Sequence, residues 1–548
     1  MIKKILHSKL LLNSDPSNSV ISAAFIITIA GLASRILGLV RDRFLASTFG
    51  AGDTLDIYYA AFRIPDLIYN VLILGALSAA FIPVFTGLVS QKKDQAAWNV
   101  ANGVMNLALA FVIALSLIFC FFAPYLMKII TPGFPEDKMA NVVFFTRIMF
   151  LSPIFLGISG IFGGILTSFK HFLIYSFAPI FYNLGIIFGV VFFVKIWGPV
   201  GLAWGVVFGA FLHMLIQYPA ARHLGFRHSF AFRKYFFDKD IRHILKLMIP
   251  RTLGIAVSQA NLFIITIFAS TLVAGSLAIF NFAQNLQSVP LGIFGVSFSI
   301  AAFPTLAALW ATNEKKKFAQ TFAETFCQIM FFVIPLSIFI LLLRAQLVRV
   351  TLGAGKFDWE DTILTYECLK YFTLSLFAQS VVPLLTRSFY AIHNTKTPFY
   401  IALFSEIVNI AAVLFLIGRY EIQGLAMAFS LTSLVQMLLL FFALRSRFDD
   451  LGDKKIIKSI GQIALAAIFS GIGVQSSKYF IASLVDMDTF LGVFTQLVFS
   501  GGFGILIFLT LCHFLRLEEY LSFKSSLTRK IFKNKKTITE NTGEVSGV

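Results

Sequence analysis

The charged side chains that could bind a ligand are concentrated near the start of the chain, inside otherwise apolar sequence. The stretch SRILGLVRDRF carries Arg35 and Arg41, with Asp42 next to the second arginine, and the following segment carries Asp56 and Arg63. On a helix, residues roughly six or seven apart lie near one face, so Arg35 and Asp42 can face the same space. A guanidinium group presents a fixed fork of donors that matches phosphate oxygens. These residues predict a site for an anionic group such as a diphosphate.

A purely structural role is the alternative for the same charges. Charged side chains within apolar helices often pair with one another or extend to the membrane interface. Placing a charge near the bilayer centre costs about 2.5–3.5 kcal/mol, so such residues usually face a cavity or a partner. We favour the structural role for Arg43 and Asp66, and ligand binding for Arg35 and Arg41.

The elements that position these residues are predicted to be transmembrane helices. The 548 residues are 58% hydrophobic and only 13% charged, which excludes an ordinary soluble domain. Apolar runs of about twenty residues recur along the chain, and each can cross a hydrocarbon core about 30 Å thick. Unbroken apolar runs favour helices over a barrel. The fold class is therefore an all-α polytopic membrane protein with about 14 transmembrane helices.

The predicted helices alternate with basic connections. The net charge of +18 comes from Lys and Arg residues between the apolar runs, which indicates membrane topology rather than nucleic-acid binding. Because basic loops stay inside, we expect both termini to be cytoplasmic. The predicted spans are 20–40, 57–90, 98–130, 140–168, 172–195, 199–222, 243–271, 275–311, 318–350, 361–391, 398–418, 422–445, 456–482 and 487–515.

Weak internal similarity suggests a duplicated architecture. The stretch beginning GLAWGVVFGAF at Gly201 aligns with GLAMAFSLTSL at Gly424, and Asn183 aligns with Asn409 at a similar displacement. Two parallel six-helix lobes followed by a C-terminal helix pair are predicted. The predicted organisation is an N-terminal cytoplasmic segment 1–19, an N-lobe 20–222, a basic cytoplasmic linker 223–242, a C-lobe 243–445, a helix pair 446–515 and a basic cytoplasmic tail 516–548.

Residues for covalent chemistry or metal binding do not form a recognisable pattern. The sequence has no GxSxG, HExxH or Walker loop, and its four cysteines are scattered singly. We therefore predict no enzyme activity, no metal site and no cofactor. Glu406 and Asn409 lie three residues apart on one helix face, so they either bond a neighbouring helix or hold a coupling cation.

Several of these stretches together resemble the MurJ/MviN family of lipid II flippases, within the multidrug/oligosaccharidyl-lipid/polysaccharide exporter superfamily. The similarity includes SRILGLVRDRFLASTFGAGDTLDIYYAAFRIPDL, GALSAAFIPVF, PRTLGIAVSQANL from Pro250, PLGIFGVSFSIAAFPTL from Pro290 and TRSFYAIHNTKTP from Thr386. The resemblance implies two six-helix lobes around a hydrated cavity, with the extra helix pair forming a groove for a lipid tail. It also implies alternating access that carries a lipid-linked peptidoglycan precursor outward.

The family's cavity residues are only partly retained. By position, its cavity arginines fall on Arg35 and Arg41, and its acidic positions fall on Asp42 and Asp56. Charged positions of many members are instead Tyr69-Asn70, Leu74 and Gln284-Asn285, so Arg63, Arg251 and Asn285 are expected to contribute. Ile265 stands where some relatives have a sodium-binding carboxylate. The predicted substrate-binding set is Arg35, Arg41, Asp42, Asp56, Arg63, Arg251 and Asn285.

The function expected from this resemblance is flipping of lipid II across the bacterial cytoplasmic membrane for cell-wall synthesis. The expected partners are lipid II, an undecaprenyl-diphosphate-linked muropeptide, and membrane lipids, with no nucleic acid. One alternative is another exporter of the same superfamily, moving a lipid-linked O-antigen-type glycan or a drug cation. The other alternative is an integral-membrane enzyme of lipid-carrier metabolism.

Overall fold

The computed structural model describes residues 20–74, 81–230 and 259–525, and within these ranges all regular structure is helical. Helices form because a segment crossing lipid must satisfy its own backbone hydrogen bonds. The α-helices are α1 Val20–Phe49, α2 Asp53–Ala61, α3 Arg63–Ile68, α4 Ile82–Ser90, α5 Asp94–Ile130, α6 Glu136–Met149, α7 Leu151–Ser168, α8 Phe172–Phe188, α9 Val194–Trp197, α10 Gly201–His223, α11 Gln259–Ala269, α12 Ser276–Pro290, α13 Ser297–Ala311, α14 Lys315–Thr351, α15 Trp359–Leu374, α16 Leu376–Ala391, α17 Lys396–Arg445, α18 Asp453–Ala482 and α19 Phe490–Phe514.

Many of these helices are long and apolar enough to cross a bilayer. In the described ranges eight helical stretches meet this condition, and a ninth does if α15 and α16, bent by 47° at their junction, form one span. This confirms the prediction of an all-α polytopic membrane protein. The total of about fourteen spans stays a prediction.

The second predicted span, 57–90, is not one regular helix. After α2 and α3, a π-helical segment occupies Tyr69–Leu74, and α4 begins at Ile82. A second π-helical segment, Leu291–Val296, begins 222 residues after the first. Such segments are rare and often occur at functional sites. Their spacing agrees with the internal repeat seen in the sequence.

Helices α8 and α10 approach one another closely through glycine. A Cβ atom on Gly185 would lie 2.3 Å from the Cα of Gly209, so no larger residue fits at that crossing. Small residues at helix crossings allow this contact inside membranes. Gly198 separates the two stretches with a φ of +61°, and thereby ends the helix before α10 begins.

The first residues after α10 are hydrogen-bonded to α5. Asn102 Nδ2 donates to the carbonyl of Arg227 over 3.0 Å, and Asn102 Oδ1 accepts from the backbone N–H of Ser229 over 2.8 Å. The ring Nε2 of His228 lies 3.0 Å from Asn106 Oδ1, and burial lowers the pKa of His228. The described start of the predicted basic linker is therefore ordered against a membrane helix.

The described residues separate into two compact units. The first unit comprises the described residues within Met1–Asn285, Thr351–Thr365 and Glu406–Leu425. The second unit comprises those within Leu286–Val350, Tyr366–Ser405 and Ala426–Val548. The predicted boundaries of the N-lobe and C-lobe stay a prediction.

Candidate functional site

Three residues of the predicted substrate-binding set form one hydrogen-bond network in the first unit. Arg41 donates to Asp42 Oδ1 from Nε over 3.0 Å and from Nη2 over 2.8 Å. Its Nη1 donates to Asn183 Oδ1 over 3.1 Å, and Asn285 Nδ2 donates to Asp42 Oδ2 over 2.9 Å. Asp42 is 1% exposed, so its charge depends on these partners. The network fixes the Arg41 guanidinium between α1, α8 and α12.

Arg35 lies on the same helix but lines a cavity of about 510 Å³. Other walls of this cavity come from Tyr69 and from polar side chains on α7, α8 and α10. Tyr69 occupies a position where the family resemblance leads one to expect charge. A half-buried arginine in a cavity that also contains several polar side chains fits the predicted role of Arg35 in binding an anionic group.

The wall of the cavity also contains a polar group that sequence analysis did not single out. Ser159 Oγ lies 2.7 Å from His213 Nδ1 and accepts from Gln217 Nε2 over 2.6 Å. Gln217 is 1% exposed, and its Oε1 has no hydrogen-bond partner among the described residues. Ser176 Oγ, also on the cavity wall, is likewise buried without a partner there. The sequence signal for this group is the i, i+4 spacing of His213 and Gln217, which places both side chains on one face of α10.

Asp56 has a set of partners separate from the Arg41 network. It is 2% exposed, and Oδ2 accepts from Lys138 Nζ over 2.9 Å and from the Gly275 N–H over 2.8 Å. Oδ1 accepts from the Ala278 N–H over 3.0 Å. Gly275 has a φ of +89°, and a Cβ there would lie 2.0 Å from the Ala51 carbonyl oxygen. Asp56 therefore fixes the first turn of α12, where a carboxylate is favoured by the helix dipole.

Arg63 is buried and bonds to neutral groups on α11 and α12. Its Nε donates to Thr266 Oγ1 over 2.6 Å, and its Nη2 donates to Asn281 Oδ1 over 3.3 Å. Arg43, which we assigned a structural role, places Nη1 3.5 Å from the Thr351 carbonyl oxygen. The predicted Arg251 lies outside the described residues.

The contacts of Asp56, Arg63 and Asp42 converge on one side of α12. They reach residues 278, 281 and 285 respectively, and this i, i+3, i+7 spacing defines a single helix face. Asp42, Asp56 and Arg63 thus hold α12 in place through hydrogen bonds, whereas Arg35 lines the cavity. The sequence suggested the charged residues but not this shared partner helix.

A second polar cluster joins α11 to α17 within the same unit. Asn261 Nδ2 lies 3.2 Å and 3.1 Å from the two carboxylate oxygens of Glu406. Within the described part of the chain, neither Asn261 Oδ1 nor Oδ1 of the buried Asn409 has a hydrogen-bond partner. A carboxylate and two amide oxygens form a donor set suited to a hard cation. Groups of three or more His, Cys, Asp or Glu able to hold a metal are absent from the described ranges.

The comparisons with known proteins identify the family. The family model for lipid II flippase MurJ matches residues 45–495. The chain belongs to the MurJ family. A probable lipid II flippase MurJ of Buchnera aphidicola subsp. Acyrthosiphon pisum (strain APS) is 32% identical over 418 residues, which cover 76% of this chain and 81% of that protein. The lipid II flippase MurJ of Burkholderia cenocepacia is 28% identical, with 77% and 83% covered.

Solved structures agree with this membership. A lipid II flippase MurJ in an inward closed conformation matches with a TM-score of 0.74 and 25% identity, covering 90% of this chain and 99% of that one. An inward-facing multidrug resistance MATE transporter of the MOP superfamily matches with a TM-score of 0.65 and 14% identity, covering 81% and 97%. The second match shows a shared fold. Membership of the MurJ family confirms the resemblance seen in the sequence.

Proposed function

We propose that this chain moves lipid II from the inner to the outer leaflet of the bacterial cytoplasmic membrane by alternating access, for cell-wall synthesis. The observation that carries the proposal, beyond family membership, is the arrangement of the first two arginines. Arg35 lines the cavity, and Arg41, six residues later on the same helix, is held by Asp42 and Asn183. Two guanidinium groups on one helix suit the diphosphate of the substrate.

Arg41 and Asp42 would couple the substrate to the helix contacts. A diphosphate approaching Arg41 competes with Asp42 for the guanidinium group, since both ligands are anionic oxygen acceptors. Weakening of the Arg41–Asp42 pair would change the bond from Asn285 to Asp42, which fastens α12. Alternating access needs such contacts to be remade between two states. Arg63, Arg251 and Asp56 complete the proposed substrate-binding set.

The transport requires no covalent step by the protein. Binding, occlusion and release of the lipid-linked headgroup use hydrogen bonds and charge alone, so we propose a transporter and not an enzyme. An enzyme of lipid-carrier metabolism would form product from a labelled undecaprenyl substrate when purified. We expect no product in that assay.

The proposed orientation places both termini in the cytoplasm. It rests on the basic residues that alternate between the apolar runs. Reporter fusions at each terminus, active only on one side of the membrane, test this orientation.

We infer in addition that a cation binds at Asn261, Glu406 and Asn409. The support is the buried pair of amide oxygens without partners beside one carboxylate. A monovalent cation there would neutralise Glu406 within the membrane, where an isolated charge is costly. Thermal unfolding in the presence and absence of the cation tests this binding independently of transport.

The decisive experiment is replacement of the native flippase in a bacterium. The native protein is depleted while this chain is supplied, and lipid II accessible from outside the cell is measured. We expect accessible lipid II and growth to be restored. Failure to restore either, with the chain shown to be folded and inserted, would overturn the substrate assignment.

A further inference from the structure

A cluster of charged residues that the proposed transport does not use lies in the second unit. It consists of Arg344 on α14, Glu367 and Lys370 on α15, and Lys478 on α18, and we call it the C-terminal basic cluster. Arg344, Glu367 and Lys370 have side chains between 20% and 31% exposed, so they are neither fully buried nor fully solvated. Lys478 Nζ bonds the carbonyl of Leu342, which lies two residues before Arg344 on α14.

The position of the cluster along its helices places it at the level of lipid headgroups. Arg344 lies about 44 Å along α14 from its first residue, Lys315, at about 1.5 Å per residue. Lys478 follows the start of α18 at Asp453 by about 38 Å on the same basis. Both helices begin at basic loops, and the hydrocarbon core is about 30 Å thick. The cluster therefore lies where the opposite leaflet's phosphates are found.

Internal pairing does not neutralise the cluster. Glu367 is its single carboxylate, at 2.7 Å from Lys370 Nζ but 3.5 Å from Arg344 Nη2, which is long for a hydrogen bond. Three cations against one anion leave an excess of two positive charges. Arg344 Nη1 donates to the Leu341 carbonyl, while its Nε is buried and has no partner in the described chain. The guanidinium fork retains capacity for an anionic ligand.

A chain of hydrogen bonds across three helices fixes Lys478 near Arg344. Gln346 Nε2 donates to Gln496 Oε1 over 2.7 Å, and Gln496 Nε2 donates to the Lys478 carbonyl over 2.8 Å. Lys478 Nζ in turn donates to the Leu342 carbonyl over 3.1 Å. Gln346 and Gln496 are buried, so these bonds are protected from water. The two cations are held by the fold and are not mobile surface side chains.

We propose that the C-terminal basic cluster binds the phosphate of a membrane lipid. An ammonium group next to a guanidinium fork matches phosphate oxygens. Tyr366 and Tyr371, which lie beneath Arg344 and Lys370 as cation–π partners, suit the membrane interface. The phosphate can come from an anionic phospholipid or from an undecaprenyl-diphosphate lipid. The site does not depend on the cavity residues of the first unit or on flipping.

Native mass spectrometry of the purified full chain in detergent tests this proposal. Binding is measured with phosphatidylglycerol and, in a separate arm, with undecaprenyl diphosphate. The double variant Arg344→Gln/Lys478→Gln removes both fixed cations. Each lost charge near lipid phosphate is worth about 1 kcal/mol, so binding should weaken about fivefold per charge and about 25-fold in the double variant.

Matched variants distinguish loss of this site from a general loss of positive charge and from unfolding of the protein. Lys458→Gln removes an exposed lysine from the same helix as Lys478, twenty residues earlier, and should leave binding unchanged. Lys478→Arg should retain binding because it keeps the charge. Lys370 is not part of the hydrogen-bond chain, so Lys370→Gln should not disturb folding. This variant should weaken lipid binding about fivefold, and it tests the site even if the double variant fails to fold.

The two arms identify the source of the phosphate. Weaker binding in either arm supports the site, and an effect confined to one arm names the phospholipid or the undecaprenyl lipid as its occupant. Unchanged binding of both lipids by the folded double variant would overturn the proposal. So would unchanged binding by Lys370→Gln if that variant alone can be purified.

Discussion

Asn285 donates a hydrogen bond from Nδ2 to Oδ2 of Asp42 over 2.9 Å, although 243 residues separate the two in the chain. The carboxylate is buried, and its other oxygen is occupied by Arg41. The neutral amide of Asn285 thus supplies the hydrogen bond to the second oxygen of Asp42, which forms an ion pair with Arg41 on α1. The buried carboxylate is thereby satisfied by one arginine and one neutral amide.

Replacing Asn285 with Asp should therefore destabilise the protein. Two carboxylates would face one another, and the charge-assisted bond would be lost, at a cost of about 1.5–3 kcal/mol. The double variant Asp42→Asn/Asn285→Asp restores one donor and one acceptor and should recover part of the loss. Thermal unfolding in detergent measures both effects. Gln284→Glu, which adds a charge at the neighbouring residue, is the control. Equal losses in Asn285→Asp and Gln284→Glu would contradict the assigned contact.

Replacing Asp56 with Asn should be more damaging than replacing Asp53. Asp56 and Lys138 form a buried pair, and removing one partner of such a pair costs about 3–5 kcal/mol. Asp53 bonds the same lysine, but its side chain is 64% exposed, so its loss should cost less than about 1 kcal/mol. The melting temperatures of Asp56→Asn and Asp53→Asn give the comparison. Similar melting temperatures would show that Asp56 does not fasten α12.

Local sequence signals predicted the helices and several of their breaks. The predicted gaps after residues 195 and 418 coincide with Gly198 at a φ of +61° and Glu421 at a φ of +48°. Apolar runs and punctuating charged or glycine residues act within a few positions, so one sequence suffices to find them. The π-helical segment at Tyr69–Leu74 was not predicted, because its apolar residues also fit an α-helix.

The partners of the charged residues could not be read from the sequence. Asp56 bonds backbone N–H groups at residues 275 and 278, and a backbone donor has no sequence signature. Arg63 bonds Thr266 and Asn281, which resemble many other polar residues in membrane helices. These contacts depend on which helix faces meet. The roles of the seven predicted substrate-binding residues stay a prediction.

Arg35 and Arg41 should be essential for transport, whereas Arg43 should not be. Arg35 lines the cavity, and Arg41 is the centre of a network, whereas Arg43 Nη1 lies 3.5 Å from the Thr351 carbonyl oxygen and is not among the residues that line the cavity. We expect Arg35→Ala and Arg41→Ala to abolish rescue of a depleted strain and Arg43→Ala to reduce it mildly. Externally accessible lipid II is the readout, with membrane levels of each variant matched. Full activity of both first-named variants would show that other residues bind the headgroup.

Sodium should stabilise the wild-type protein, and Glu406→Gln should remove that effect. A ligand at a hundred times its dissociation constant stabilises by about 2.7 kcal/mol, which raises the melting temperature. The glutamine variant keeps one oxygen that can accept from Asn261 Nδ2 but lacks the charge that a cation needs. Melting temperatures in sodium chloride and in choline chloride at equal ionic strength isolate the specific effect. Glu421→Gln, which changes an exposed carboxylate at the break within Lys396–Arg445, is the control and should respond to sodium as the wild type does. An equal sodium response in Glu406→Gln, or none in the wild type, would exclude the cation from this cluster and leave Asn261 and Glu406 as an interhelical pair.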